Sequence, residues 1–202
     1  MTGLECHPAA KIMRIAIDID STLHHYWDAL ADAAKRRFGV DLPYEQQSTW
    51  DITLLKPRQL EACIAETHSD RQIAAAEPYE GAVEAIRRWH EAGHFIHVTS
   101  HRRRDSHEVT ARWLAEIGLP YDELYCSDDK IERCREIGID LLIDDSPVNL
   151  ERAIDAGIAA ATISHPWNRD LCETEDVVCA DSWPALEASL APMLGMRVPQ
   201  RG

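Results

Sequence analysis

The sequence predicts an α/β fold: a doubly wound parallel sheet of about five strands, with a small helical cap inserted after the first strand. Three observations predict it. Short apolar runs such as Arg14-Ile-Ala-Ile-Asp18 lack polar alternation, the pattern of strands buried on both faces. After Pro78, such runs alternate with stretches of helical spacing. Gly93, Gly118, Gly138 and Gly157 each stand between a helical stretch and the next apolar run, where a helix stop is expected. Strands that alternate with helices through right-handed crossovers form a parallel sheet.

Taken in order, Arg14 to Asp18 is the first strand. Trp27, Leu30, Ala31, Ala34 and Phe38 then fall on one helical stripe that Gly39 stops, and Leu60, Cys63, Ile64 and Thr67 form a second. The stretch from Pro43 to Pro57 between them is irregular. Residues 25–76 are read as the cap, and residues 12–24 with 77–202 as the core. In the core, Glu80 to Glu91 is helical and Phe95 to Thr99 is a strand; Ser106 to Ile117 is helical and Leu124 to Cys126 a short strand. Ile131 to Ile137 is helical and Asp140 to Asp144 a strand; Val148 to Ala156 is helical and Ala159 to Ile163 a strand. Ser182 to Leu190 closes the pattern as a helix.

At 202 residues, 45% hydrophobic and 28% charged, the chain has the composition of one globular unit with a small insert. No apolar run approaches the roughly 20 residues that span a bilayer, so no membrane segment is expected. The opening MTGLECHPAAKIMR carries no apolar stretch long enough for a secretory signal and reads as a loose leader. The six cysteines show no C-x-x-C pair, so they read as reduced thiols of a cytoplasmic protein rather than a zinc site. The net charge of −14 disfavours duplex nucleic acid, whose binding rests on cationic contacts to phosphate. A small phosphorylated substrate remains compatible, because a bound cation and a few basic groups reverse the field inside one pocket. A homo-oligomer is left open.

Ligands of open parallel sheets bind beyond the carboxyl ends of the strands. Three predicted strands end there in chemistry-bearing residues: Asp18-Ile-Asp20-Ser21-Thr22, Thr99-Ser100 and Asp144-Asp145. Lys130 opens the helix before the last of these strands. If the strands are neighbours, four carboxylates, a hydroxyl and a lysine converge. Carboxylates a few ångströms apart repel and raise one another's pKa. A hard divalent cation with oxygen ligands, such as Mg²⁺, neutralises such a cluster and serves phosphoryl transfer.

D-I-D-S-T after an apolar strand, V-T-S at the next strand end, a lone lysine and L-L-I-D-D-S-P resemble, in order, the four motifs of the haloacid dehalogenase superfamily, over Arg14 to Ile163. The resemblance implies a Rossmann-like core and a magnesium-dependent phosphohydrolase. It makes Asp18 the nucleophile and Asp20 the general acid and base. Asp18, the Asp20 backbone carbonyl and Asp144 would hold Mg²⁺, with Asp145 in or just behind that set, and Thr99 and Lys130 would hold the phosphate. An acid at position 20 separates the phosphatases of the superfamily from its dehalogenases. The position of the cap, the phrase Trp50-Asp-Ile-Thr-Leu-Leu and the L-L-I-D-D-S-P run are similar to the 5'-nucleotidase branch, which implies nucleoside 5'-monophosphates as substrates.

For such a substrate, Trp27, Trp50 and Tyr79 are candidates to stack on a base, against the plainer reading of aromatics as the cap's own core. His24, His25 or Arg102 are candidates for ribose or phosphate contact. Ser100, His101 and Arg102 follow the second motif and are further substrate candidates, though a basic run is more often a solvated face. Ser100 and Ser146 read as strand-end and helix-capping hydroxyls, not nucleophiles. The ten histidines show no metalloenzyme spacing. Alternatives stay open: a phosphatase for sugar phosphates or other small esters, a phosphotransferase, a phospho-ligand binder of the same fold, or a receiver-like signalling module.

Overall fold

The computed structural model describes residues 11–127 and 129–196. Residues 1–10 of the stretch read as a leader, Cys6 among them, lie outside the described residues. The first strand, β1, is Arg14–Asp18; all but its first residue are buried, as its unbroken apolar character requires. The insert that follows is helical: α1 (Tyr26–Phe38), a 3₁₀ turn at Tyr44–Gln46, α2 (Pro57–Thr67) and α3 (Asp70–Ala74). In α1 Trp27, Leu30 and Ala34 of the expected stripe are buried, Ala31 and Phe38 pack against the same cluster while partly exposed, and Ala33 is buried beside them. The helix stops at Gly39, whose N–H donates to the Lys35 carbonyl and whose left-handed φ of 66° turns the Val40 N–H back onto the Ala34 carbonyl.

The core continues with α4 (Ala82–Glu91), β2 (Phe95–Ser100), α5 (His107–Glu116), β3 (Glu123–Cys126), α6 (Lys130–Glu136) and β4 (Leu141–Ile143). It closes with α7 (Pro147–Asp155), β5 (Ala159–Ile163), α8 (Arg169–Cys172), β6 (Val177–Ala180) and α9 (Trp183–Leu190). The sheet is parallel throughout, in the order β3-β2-β1-β4-β5-β6. It is α/β and doubly wound, as expected, but it has six strands rather than about five. The addition is β6, an edge strand with one buried residue in four, whose apolar run Val-Val-Cys-Ala is only four residues long.

Alternation along β1 divides the core into two layers. Ile15 and Ile17 face α4, α5 and α9, joining one cluster with the fully buried Trp89, Trp113 and Trp183. Ala16 faces the other way, with Ile131 and Cys134 of α6, Leu142 of β4 and Ala153 of α7. The insert has its own cluster around Trp27, Leu30, Leu42, Leu55 and Cys63, and Trp167, from the loop after β5, packs into it.

One cysteine reading is corrected. Cys172 at the end of α8 and Cys179 in β6 are joined by a disulfide, their Cα atoms 5.3 Å apart. The chain turns back between them, bringing together two residues whose spacing fits neither a C-x-x-C pair nor a zinc motif. Cys63, Cys126 and Cys134 are buried free thiols.

Candidate active site

Placing β1 at the middle of the sheet makes the predicted strand ends neighbours. β1 pairs with β2 on one side and β4 on the other, with Asp18 opposite Thr99 and Ile17 opposite Ile143. Asp144 and Asp145 therefore leave β4 beside Asp18, at the point where strand order reverses and the crevice opens. Beyond Asp18 the chain turns sharply. Ser21 has φ 61°, the only non-glycine residue in the left-handed region among the described residues, and Leu23 N–H closes on the Ile19 carbonyl.

Lys130, the first residue of α6 and buried, puts Nζ 2.5 Å from Asp18 Oδ1 and 2.8 Å from Asp144 Oδ2. Asp18, Asp144 and Asp145 are all buried, and one carboxylate oxygen of each lies within 4.8 Å of the others. Burial pushes the Asp18 carboxyl up to about 7, helped by Asp144 and Asp20 and opposed by Lys130. Burial likewise pushes Asp145 well up, with Asp18 and Asp144 adding to it. Burial works against the Lys130 ammonium, but Asp144 and Asp18 outweigh it and keep the group charged. Three buried carboxyl groups share one buried ammonium, and all three can be ionised together only when further positive charge is supplied. Their all-oxygen donor set fits a hard divalent cation.

The two β4 aspartates are tightly held. Asp144 accepts from the backbone N–H of Ser146 at 2.9 Å and from Asn149 Nδ2, which lies 3.2 Å from both of its oxygens. Ser146 caps α7, its hydroxyl accepting from Asn149 N–H. The Asp145 carbonyl accepts from Asn168 Nδ2 at 3.1 Å. The Thr99 hydroxyl is buried without a hydrogen-bond partner among the described residues, beside Asp18 in the register, where a phosphoryl oxygen would supply an acceptor.

Asp20 stands apart from the three-carboxylate group. Arg102 grips it with Nη2 2.7 Å from Oδ1 and Nε 3.2 Å from Oδ2. His24 Nε2 lies 3.0 Å from Oδ1 and His68 Nε2 3.4 Å from Oδ2. Burial alone would push the Asp20 carboxyl up, but Arg102, with His24 and His68, holds it well below the usual carboxylate range. Arg102 is 1% exposed, set against Trp113 and Thr110, and lies behind Asp20 rather than in the crevice. Ser100 is buried there too, accepting from Arg102 N–H.

Above Asp18 and Lys130 lies a cavity of about 960 Å³, large enough for a small-molecule ligand. Trp27, Leu30, Trp50, Leu60, Ile64 and Trp167 form an apolar wall, while His68, His101 and Arg103 add polar groups. Trp27 is mostly core: it is 5% exposed, donates Nε1–H to the Leu42 carbonyl and packs on Trp167 at 5.3 Å. Trp50 is 44% exposed, its ring 6.5 Å from Trp167. His101 reaches the site from its β2 side, Nε2 3.3 Å from Asn149 Nδ2. His25 and Tyr79 line a second cavity of about 460 Å³, together with Arg102.

Sequence reasoning missed Trp167, Asn168, Asn149 and His68. Asn149 lies in the first turn of the helix after Asp144-Asp145, a position from which it can reach back to the strand end, so its spacing held a signal. The other three reach the site only through tertiary contact.

The description "5' nucleotidase, deoxy (Pyrimidine), cytosolic type C protein" belongs to the family whose sequence pattern matches residues 11–192. A Chlorobaculum tepidum protein provisionally named a 5'(3')-deoxyribonucleotidase is 24% identical over 187 residues, covering 86% of this chain and 90% of that protein. A Bacillus cereus protein provisionally named a nucleotidase is 31% identical over 99 residues, 46% of this chain and 52% of that one. In fold, the crystal structure of a HAD family hydrolase from Deinococcus radiodurans with bound phosphate and sodium superposes with a TM-score of 0.67 at 16% identity, covering 95% of this chain and all of that one. With the aspartates, lysine and orphaned threonine assembled at one crevice, the match over nearly the whole described chain makes this protein a member of the cytosolic type C 5'-nucleotidase family, a phosphomonoester hydrolase on the haloacid dehalogenase fold.

Proposed function

We propose that the protein hydrolyses nucleoside 5'-monophosphates through a phosphoryl group carried on Asp18. The observation that carries this reading is the position of Asp18: buried, 2.5 Å from Lys130, and at the foot of a cavity walled by tryptophans. Aromatic walls above a phosphate-sized polar floor suit a nucleobase joined to a phosphate through a sugar. Asp18, Asp144, Asp145 and the Asp20 carbonyl would hold Mg²⁺, which supplies charge compensation and Lewis acidity to the phosphoryl oxygens. The family description places its members in the cytosol, and we infer the same compartment here.

Each residue then has a physical task. An Asp18 oxygen attacks phosphorus and the bond to the nucleoside oxygen breaks, so the phosphoryl group ends on the aspartate. Thr99 donates to a phosphoryl oxygen, and Lys130 offsets charge shared by Asp18 and the transferring group. Asn149 and the Ser146 N–H keep Asp144 in place while that charge moves. Water then attacks the phosphorus, the bond to the Asp18 oxygen breaks, and phosphate leaves with the Asp18 carboxylate restored, Asp20 accepting the water's proton. The Arg102 pair holds Asp20 ionised, which suits the base role directly. To protonate the leaving nucleoside oxygen, Asp20 must first turn out of the Arg102 and His24 contacts and take up a proton from solvent, which it gives to that oxygen before it accepts one from the attacking water.

Release of phosphate from p-nitrophenyl phosphate, with and without Mg²⁺, tests the mechanism. Asp18→Asn abolishes it, and Asp20→Asn slows it by about 10² to 10⁴, both with the fold retained by circular dichroism. An Asp18→Asn protein that keeps full activity rules the mechanism out.

A further inference from the structure

The turn that carries the reaction's acidic residues into the insert is held from outside at three successive carbonyls. The Ser21 carbonyl lies 2.7 Å from His165 Nε2; the Thr22 carbonyl accepts from Trp183 Nε1–H at 2.8 Å and the Leu23 carbonyl from Tyr79 N–H at 2.8 Å. Ser21 is the left-handed residue, so its conformation is one that a serine adopts only when its surroundings impose it. The first of the three contacts differs from the other two in what lies behind it. His165 belongs to the loop after β5, outside every motif the sequence displays. It is 3% exposed, and its second ring nitrogen, Nδ1, lies 2.6 Å from the Tyr44 hydroxyl in the 3₁₀ turn of the insert.

The hydrogen-bond chemistry fixes the direction of this chain. A carbonyl only accepts, so Nε2 carries the proton toward Ser21. Nδ1 is then bare and accepts from the Tyr44 O–H. Burial, which pushes the His165 imidazolium down to about 4, keeps the ring in this neutral form. The ring cannot swing away, because it stacks on Trp167 at 4.5 Å and 4°. Its backbone N–H donates to Asn168 Oδ1, while Asn168 Nδ2 reaches the Asp145 carbonyl. Trp167 in turn packs on Trp27 of the insert. A single short loop thus touches the Ser21 turn, Asp145 and two places on the insert.

We propose that His165 is a positioning residue of the hydrolysis: its Nε2–H holds the Ser21 carbonyl, and so the Ser21–Thr22 peptide that keeps Ser21 in its left-handed turn next to Asp20, in the orientation that the insert sets through the Tyr44 hydroxyl. Without that donor the Ser21 turn relaxes out of the left-handed region, which rotates the neighbouring peptide and moves both the Asp20 carbonyl and the Asp20 side chain. His165 touches no reacting atom. The inference concerns phosphomonoester hydrolysis itself and is independent of which nucleotide is used.

Steady-state kinetics on p-nitrophenyl phosphate with saturating Mg²⁺ tests it, because this small ester does not need the cavity wall. His165→Ala lowers kcat by about 10- to 100-fold, the scale of a misplaced reacting group, with KM changed by less than about threefold. His165→Gln, whose amide donates to Ser21 and whose carbonyl accepts from Tyr44, recovers most of that loss. Tyr44→Phe lowers kcat by less than His165→Ala, and the double variant is no slower than His165→Ala alone, since both act through one chain. A folded His165→Ala protein with kcat within about twofold of the parent overturns the proposal, as do additive effects in the double variant. Should His165→Ala fail to fold, Tyr44→Phe decides: an unchanged kcat there overturns it as well.

Discussion

At the scale of single residues, the site is a problem of compensated charge. Lys130 is the only cation in contact with Asp18 and Asp144 among the described residues, and all three are buried. Replacing Lys130 with Met leaves buried carboxylates without their partner, a change that costs about 3 to 5 kcal/mol. Urea unfolding of Lys130→Met without divalent ions should show that loss, and Mg²⁺ should restore part of it by binding the folded state. Equal stability of parent and variant in the absence of divalent ions would mean that the lysine does not offset the cluster. Asp18, Thr99, Lys130, Asp144 and Asp145 were legible in the sequence because they stand at strand ends or a helix start, where the parallel sheet alone fixes their neighbourhood. Arg102 was not legible in the same way. It lies two residues past a strand end, and nothing in the local pattern tells whether such a side chain enters the crevice or turns inward. The deciding contacts are with Trp113 and Thr110, on another element.

At the scale of elements, the helices and strands that bury a full face or stripe were readable, with bounds shifted by a residue or two. Those that escaped are small. β6 is a four-residue edge strand, mostly half-buried, and α3 and α8 span five and four residues. None is long enough to display a period. The loop between β5 and α8 escaped for another reason: its Trp167 completes the wall of a cavity built mainly by the insert, a contact across well over a hundred residues of chain. That wall has a kinetic consequence. Trp167→Ala should raise KM for a nucleoside monophosphate by about tenfold, the loss of one base-stacking contact, and leave KM for p-nitrophenyl phosphate nearly unchanged. Equal effects on both esters would place Trp167 in the fold of the site rather than in recognition of the leaving group.

At the scale of the whole molecule, the fold carries a buried histidine whose titration opposes folding in acid. His97 in β2 is fully buried, with both ring nitrogens lacking a hydrogen-bond partner among the described residues and Glu123 3.6 Å from Nδ1. Burial, reinforced by Arg133 and Arg14 and opposed by Glu123, pushes its imidazolium down to about 4 from an ordinary 6.5. The unfolded chain therefore binds a proton below pH 6.5 that the native protein refuses until about pH 4. This group adds nothing at neutral pH and subtracts stability as pH falls through that window, by roughly 3 kcal/mol at most. Thermal melts of the parent and His97→Leu should converge in their pH dependence above pH 7, with the variant losing less stability as pH drops to 4; parallel curves over the whole range would contradict the assignment. The larger architecture, six parallel strands among the described residues with the insert over the crevice at β1, brings the carboxylates and the tryptophan wall to one cavity. The most direct test of that function is phosphate release, with and without Mg²⁺, from ribo- and deoxyribonucleoside 5'-monophosphates beside sugar phosphates. The account predicts Mg²⁺-dependent turnover with a clear preference for a nucleotide group; equal or better turnover of sugar phosphates would contradict the nucleotide assignment, and no release from any ester would contradict the hydrolase itself.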